Sequence, residues 1–210
     1  MPLVYQHTIN SNTKAALWHI AEDEDFFLKR VPLKQDVSHP HKRLQHLAGR
    51  YLLPTLFEDF PLEEILIADT RKPFLPGEKY HFSISHSGDY AAAIVSSDHR
   101  VGIDIEHPAE KILRISHKFL SEKEKMFLDE QMSSLQLLQL ATLLWSTKES
   151  MFKWYGDGGI DFRQHLLVEN MEGNDEEGKL ICRFQKFEPL PLLVHYRFMN
   201  EVVMSWVVSG

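Results

Sequence analysis

Between Tyr80 and Glu106 the chain passes three times through a short strand-like segment, with a tight polar turn after each of the first two, and this run narrows the possible architectures more than any other part of the sequence. Tyr80-His81-Phe82-Ser83-Ile84-Ser85 alternates as a half-buried strand does, and His86-Ser87-Gly88-Asp89 reads as a turn. Tyr90 to Ser96 (YAAAIVS) is apolar and strand-like. Ser97-Asp98-His99-Arg100 then turns the chain into a third strand, Val101 to Glu106.

The flanking segments mix both periods. Ala15 to Val31 reads as a helix carrying the acidic stretch Glu22-Asp23-Glu24-Asp25. Lys42 to Leu53 has helical spacing in Leu44, Leu47 and Leu52 and is expected to close at Pro54. In the second half Ile112 to Met132 is helical, and Ser121 with Glu124 forms a capping-box pattern that predicts a new helix start. Leu135 to Tyr155 is a long helix ended by Gly156, with Gly158 and Gly159 in the loop beyond. Strands are expected over Leu166 to Glu169, Lys179 to Phe187, from Leu192 through Phe198, and Val202 to Val208. Both halves therefore run helices first and strands last. This order suggests two related α+β lobes, residues 1–100 and 101–210, joined near Arg100 to Pro108, with a ligand cleft between them.

With 210 residues, 43% of them hydrophobic, the chain can bury a sizeable core and is not a disordered segment. No basic-then-apolar leader and no membrane-length apolar window is present, so no membrane association is expected. A single cysteine, Cys182, excludes an internal disulfide framework and suits a reducing, cytoplasmic location. The net charge of −7 argues against general nucleic-acid binding. One segment departs from that average: Lys29, Arg30, Lys34, Lys42, Arg43 and Arg50 face a lone acid, Asp36. It is either a solvated helix face or a site for a polyanionic small molecule or an acidic partner.

Three constellations carry possible chemistry. Strand periodicity puts Asp104 and Glu106 on one face of Val101–Glu106, with Ile103 and Ile105 on the other. Paired carboxylates of this kind either sit in water or are neutralised by a hard cation such as Mg²⁺. On the long helix Trp145, Glu149 and Lys153 share a face at i, i+4, i+8 with Lys148 beside it; Glu149 and Lys153 also satisfy the ordinary favourable helix pair. Phe82 to Gly88 can present backbone N–H groups and the His86 imidazole to an anion, or simply bond to its own neighbours. Upstream, Lys72-Pro73 puts a cation on a stiffened loop.

Taken together and in this order, Lys72-Pro73, Phe82 to Ser87 (FSISHS), Val101 to Glu106 (VGIDIE) and Trp145 to Lys153 (WSTKESMFK) followed by Gly156 resemble the Sfp-type 4′-phosphopantetheinyl transferases, closely over Lys72 to Gly159. The resemblance implies an α+β fold of two similar lobes about a pseudo-twofold axis, each with a small antiparallel sheet packed on helices. It implies an enzyme that moves the 4′-phosphopantetheine arm of coenzyme A onto a serine of an apo acyl- or peptidyl-carrier protein, with Mg²⁺ as cofactor and adenosine 3′,5′-bisphosphate released. Carried over by motif, Asp104, Glu106 and Glu149 hold the metal. His86, next to Ser85, contacts the pyrophosphate; Lys148 and Lys153 lie near the transferring phosphate; Lys72 helps bind the nucleotide end. Basic residues ahead of the first lobe's strands read the 3′-phosphate, and here Lys42, Arg43 and Arg50 are available.

In the implied reaction Glu149 is the candidate general base, and Lys153 either stabilises phosphate charge or protonates the leaving group. A chain that carries both lobes has both walls of the cleft, so a monomer is expected. Two rivals use the same residues: a coenzyme A or carrier-binding protein without turnover, and a Mg²⁺-dependent phosphodiesterase.

Overall fold

The structure is a computed structural model that describes residues 2–34, 37–129 and 131–209; Asp36, the acid of the basic segment, lies outside the described residues. Two antiparallel sheets form the frame. The first has the order β1(Leu3–Asn10), β2(Thr13–His19), β6(Tyr90–Ser96), β5(His81–Ser87). The second has the order β7(Val101–Glu106), β11(Val202–Val208), β10(Leu190–Met199), β9(Glu177–Phe184), β8(Leu166–Gly173). A small ribbon, β3(Leu66–Ile67) with β4(Pro73–Phe74), stands beside the first sheet. The fold is α+β, and among the described residues no helix is long and apolar enough to cross a membrane.

Each sheet is covered by helices on its outer face. Helices α1(Glu24–Leu28) and α2(Pro40–Leu56) bury Phe27, Leu47, Leu52 and Leu53 against Ala16, Trp18, Ala91, Ala93 and Val95. Helices α3(Glu110–Phe119) and α5(Ser134–Tyr155) bury Ile112, Phe119, Leu143, Leu144 and Met151 against Val194, Val203 and Val207. A third core joins the two sheets: Ala15, Leu17, Tyr90, Ala92 and Ile94 from the first, Ile103, Ile105, Val202, Met204 and Trp206 from the second. This explains why Tyr90–Ser96 is apolar on both faces. Its odd residues meet α2 and its even ones meet the other sheet.

Three local expectations are corrected. Residues 15–31 are not one helix: β2 pairs with β6 from Thr13↔Ser96 to His19↔Tyr90, and only Glu24–Leu28 are helical, capped by Asp23. Burial on both faces of β2 removes the period-2 alternation, so Ala15-Ala16-Leu17 reads as helical by propensity alone. The first half therefore begins with a β-hairpin, not with helices. Helix α2 does not stop at Pro54 but runs to Leu56, because Leu53 and Leu56 are both buried in the core and the N–H of Phe57 still bonds the Leu53 carbonyl. The segment 112–132 breaks into α3 and the four-residue α4(Glu122–Lys125), with the Ser121 and Glu124 capping box in place; Glu130 lies outside the described residues.

Helix α5 lies directly on β7, and Gly102 makes that approach possible. A Cβ at position 102 would stand 2.0 Å from the Ser150 carbonyl oxygen and 2.7 Å from the Trp154 backbone nitrogen. Neither backbone atom can yield without moving the helix. Gly102→Ala is therefore expected to cost at least ~3 kcal/mol, as overpacking against an immovable wall does. Urea unfolding measures this, and an unchanged midpoint would contradict the close approach.

Candidate active site

Strand β7 uses one side of its backbone to pair with β11, and its other N–H groups have no strand partner. They are met by serine hydroxyls of β5. Ser83 Oγ accepts from the Ile103 N–H at 3.2 Å, Ser85 Oγ from Ile105 at 3.2 Å, and Ser87 Oγ from His107 at 3.3 Å. The period of two in Phe82-Ser83-Ile84-Ser85-His86-Ser87 therefore stitches the two sheets edge to edge, and the site lies along this seam.

Asp104 is 3% exposed and faces α5. Its Oδ1 accepts from Lys153 Nζ at 2.7 Å and from Ser85 Oγ at 2.9 Å, and Lys153 Nζ also donates to Ser85 Oγ at 2.8 Å. With the Ile105 N–H, these bonds use the one donor and both acceptor positions of Ser85, so this hydroxyl is committed inside the protein. Asp104 Oδ2, by contrast, is buried without a hydrogen-bond partner. Glu106 is held at both ends, by the Trp145 indole N–H on Oε1 at 3.2 Å and by Ser87 Oγ on Oε2 at 3.3 Å.

Glu149 completes the group electrostatically. Burial first, and the Asp104 carboxylate second, push its carboxyl up to about 7, with Lys153 opposing and Glu106 adding. Glu106 is raised by burial and by Asp104. Three carboxyls thus share one partly dry site with a single lysine bonded to Asp104. Their chemistry, hard oxygens with an unpartnered buried Oδ2 among them, fits a small divalent cation. Among the described residues no three His, Cys, Asp or Glu side chains stand close enough to hold a metal as they are, so the donors are grouped but not preassembled.

The remaining expected residues divide. His86 is exposed on β5, which extends through Ser87, so the turn is confined to Gly88-Asp89. Crowding around its ring first and Lys153 second hold the His86 imidazole below its ordinary value, favouring the neutral form. Lys72 is half-buried against the end of α5, its Nζ 3.4 Å from the Trp154 carbonyl, and a Cβ at Gly156 (φ +84°) would strike its side chain. Lys72 lines two adjoining cavities, of about 460 Å³ and about 230 Å³; Lys153, Ser83 and Phe152 share the smaller with it, and Arg100 and Tyr155 the larger.

Two other residues fall away from the cleft. Lys148 is 0% exposed: its ammonium donates to Glu124 at 2.8 Å and to the carbonyls of Phe119 and Phe162 at 2.8 and 2.9 Å, which leaves no proton for a phosphate. Arg43 makes a two-point ion pair with Glu24 at 2.7 and 2.8 Å and bonds the Val37 carbonyl. Lys42 is exposed. Arg50 is half-buried and donates to His46 Nδ1 at 3.1 Å. His46 is held at about 4 by burial and by Arg50, so it accepts as a neutral ring; among the described residues Arg50 makes no ion pair. Sequence reasoning missed Ser83 and Ser87, whose signal was the serine alternation, and gave the Trp145 indole no partner.

A family model described as the 4'-phosphopantetheinyl transferase superfamily matches residues 100–205, half of the chain. The chain is 35% identical over 114 residues to the 4'-phosphopantetheinyl transferase gsp of Aneurinibacillus migulanus, covering 53% of this chain and 46% of that protein. It is 30% identical over 159 residues to the L-aminoadipate-semialdehyde dehydrogenase-phosphopantetheinyl transferase of Xenopus laevis, covering 67% and 53%. To 4'-phosphopantetheinyl transferase AcpT of Escherichia coli K12 it is 32% identical over 127 residues, covering 59% and 64%. The matched stretches thus span about half to under two thirds of these relatives' own lengths.

The raised Glu149 carboxyl has a thermodynamic consequence. Its folded pKa lies above the unfolded value, so the folded state binds the extra proton; the stability this provides is complete below about 4.5 and is lost as pH rises through about 7. In metal-free buffer the melting temperature is expected to fall across that window, and Glu149→Gln to flatten the slope. A carboxyl ¹³C titration should place Glu149 near 7 and move it down in Asp104→Asn; a Glu149 midpoint near 4.5 in the parent protein would overturn this account.

Proposed function

Given that the chain belongs to the 4′-phosphopantetheinyl transferase superfamily, we propose that it transfers the 4′-phosphopantetheine group of coenzyme A to a serine of an acyl- or peptidyl-carrier protein, releasing adenosine 3′,5′-bisphosphate. The observation that carries this reading is the junction of Ser85, Asp104 and Lys153 across the seam, with Glu106 and Glu149 beside it and a lysine-lined cleft adjoining. Asp104, Glu106 and Glu149 would hold Mg²⁺, which when bound supplies Lewis-acid neutralisation of phosphate oxygens.

The chain's own residues do the rest. The carrier serine oxygen forms a bond to the pantetheine-side phosphorus as that phosphorus releases the bridging oxygen of the pyrophosphate, and Glu149 takes the serine proton with a carboxyl poised near neutral pH. Lys153 reaches the same point with an ammonium that can turn from Asp104 to the transferring phosphate. Lys72, between the two cavities, faces the nucleotide end, and His86 at the rim of β5 faces the pyrophosphate. Lys148 and Ser85 serve the framework. In the basic segment Arg50, which makes no ion pair among the described residues, suits the 3′-phosphate better than Arg43, which is bound to Glu24. Lys42 is left for an acidic carrier. The same reading has the enzyme working as a monomer, because one chain provides both sides of the seam, and in the cytoplasm, which the single Cys182 suits.

Incubating apo-carrier protein, coenzyme A and Mg²⁺ with the protein and weighing the carrier tests the proposal: gain of the arm is expected, free phosphopantetheine indicates a hydrolase, and no change a binder. Asp104→Ala should lose on the order of 10²–10³ in rate while remaining folded. Lys153→Arg should recover much of what Lys153→Ala loses if the ammonium acts through charge, since Arg cannot give up a proton near neutral pH. Arg50→Ala should weaken coenzyme A roughly ten- to a hundred-fold in equilibrium binding and leave dephospho-coenzyme A nearly unchanged. Equal weakening of both ligands would remove Arg50 from the site.

A further inference from the structure

Trp145 sits between two rings. Its centroid is 5.0 Å from that of Phe119, edge-on, and 5.6 Å from that of Phe162, stacked, and its indole N–H points to Glu106. Three residues further along α5, the Lys148 ammonium bonds the backbone carbonyls of those same two residues. Phe119 ends α3, where carbonyls lose their helical partners, and Phe162 belongs to the irregular stretch after α5. The third acceptor, Glu124, is tied by its other oxygen to the Val168 N–H at 2.7 Å and by Oε2 to Ser121 at 2.7 Å. A charge pair this deep is a poor way to gain stability, since apolar side chains of similar volume do as well or better. What an ammonium offers and an apolar side chain cannot is three directed bonds, and here two of them fix the walls of the Trp145 slot.

We propose that Lys148 is a positioning residue: by clamping Phe119 and Phe162 on either side of Trp145 it aims the indole N–H at Glu106 and so orients that carboxylate. The functional side of this inference rests on the reading of Glu106 as part of the Mg²⁺ site; the orientation itself does not. Outer-shell partners of this kind typically change metal affinity by about 10–100-fold.

The indole N–H resonances of ¹⁵N-labelled protein report the clamp directly, with Trp145 identified by Trp145→Phe and its unbonded position by Glu106→Leu, which carries no acceptor. In metal-free Lys148→Met, and separately in Phe162→Leu, which leaves the buried pair intact, the Trp145 resonance is expected to move toward its position in Glu106→Leu. Calorimetric titration should then show Mg²⁺ half-saturation raised about tenfold or more, with KM for coenzyme A at saturating Mg²⁺ unchanged within about twofold. A Trp145 resonance that stays in place in Phe162→Leu overturns the proposal even if Lys148→Met does not fold. A rise in coenzyme A KM with the resonance in place would instead return Lys148 to the phosphate. If the parent protein binds no Mg²⁺, the metal reading fails while the resonance comparison still decides the clamp.

Discussion

The contact on which the molecule depends is a line of three hydroxyls. β7 and β5 run side by side as the edges of different sheets, too far apart for ordinary backbone pairing, and the N–H groups of Ile103, Ile105 and His107 would be stranded between them. Ser83, Ser85 and Ser87 fill that gap. Each unsatisfied buried N–H would cost ~1–3 kcal/mol, so alternating serines are close to a requirement for two sheets joined in this way. The same arrangement brings β5 side chains next to the polar face of β7. Asp104 and Glu106 therefore meet Ser85 and Ser87 at the line where the lobes join.

The electrostatics follow from that placement. Asp104 is nearly dry, and helix α5, brought down onto Gly102, sets Glu149 and Lys153 over it. Burial first, and the Asp104 carboxylate second, raise the Glu149 carboxyl, and the one ammonium nearby does not offset them. Stability and function pull against each other here. The proposed base is a carboxyl raised to about 7, so in the proposed reaction its ionised form can take up a proton near neutral pH.

Three cores, not two, hold the halves together. The sheets are covered outside by helices and also packed on each other through Leu17, Ile94, Ile103, Met204 and Trp206, so the seam is backed by apolar contact and does not hinge freely. Neither Lys148 nor Glu124 faces the cleft: Glu124 holds the Lys148 ammonium, and that ammonium bonds the carbonyls of Phe119 and Phe162, whose rings flank Trp145 beside Glu106.

The sequence by itself determined the local pieces: the three strands from Tyr80 to Glu106, the like-facing of Asp104 and Glu106, the long helix carrying Trp145, Glu149 and Lys153, the capping box at Ser121, and the family. These rest on periods of 2 and 3.6 and on short motifs, which act within a few residues. Tertiary structure decided what depends on distant partners. Residues 13–19 became a strand because β6 offered a ladder and both faces found cores; Pro54 stayed within a helix because Leu53 and Leu56 were buried on either side. Motif position alone puts Lys148 and Lys153 equally near the phosphate, yet one ammonium is buried under Glu124 and the other lies on Asp104, since five residues on a helix leave two side chains about 140° apart around the axis. Arg43 and Arg50 divide in the same way, because only the folded chain brings Glu24 to one of them.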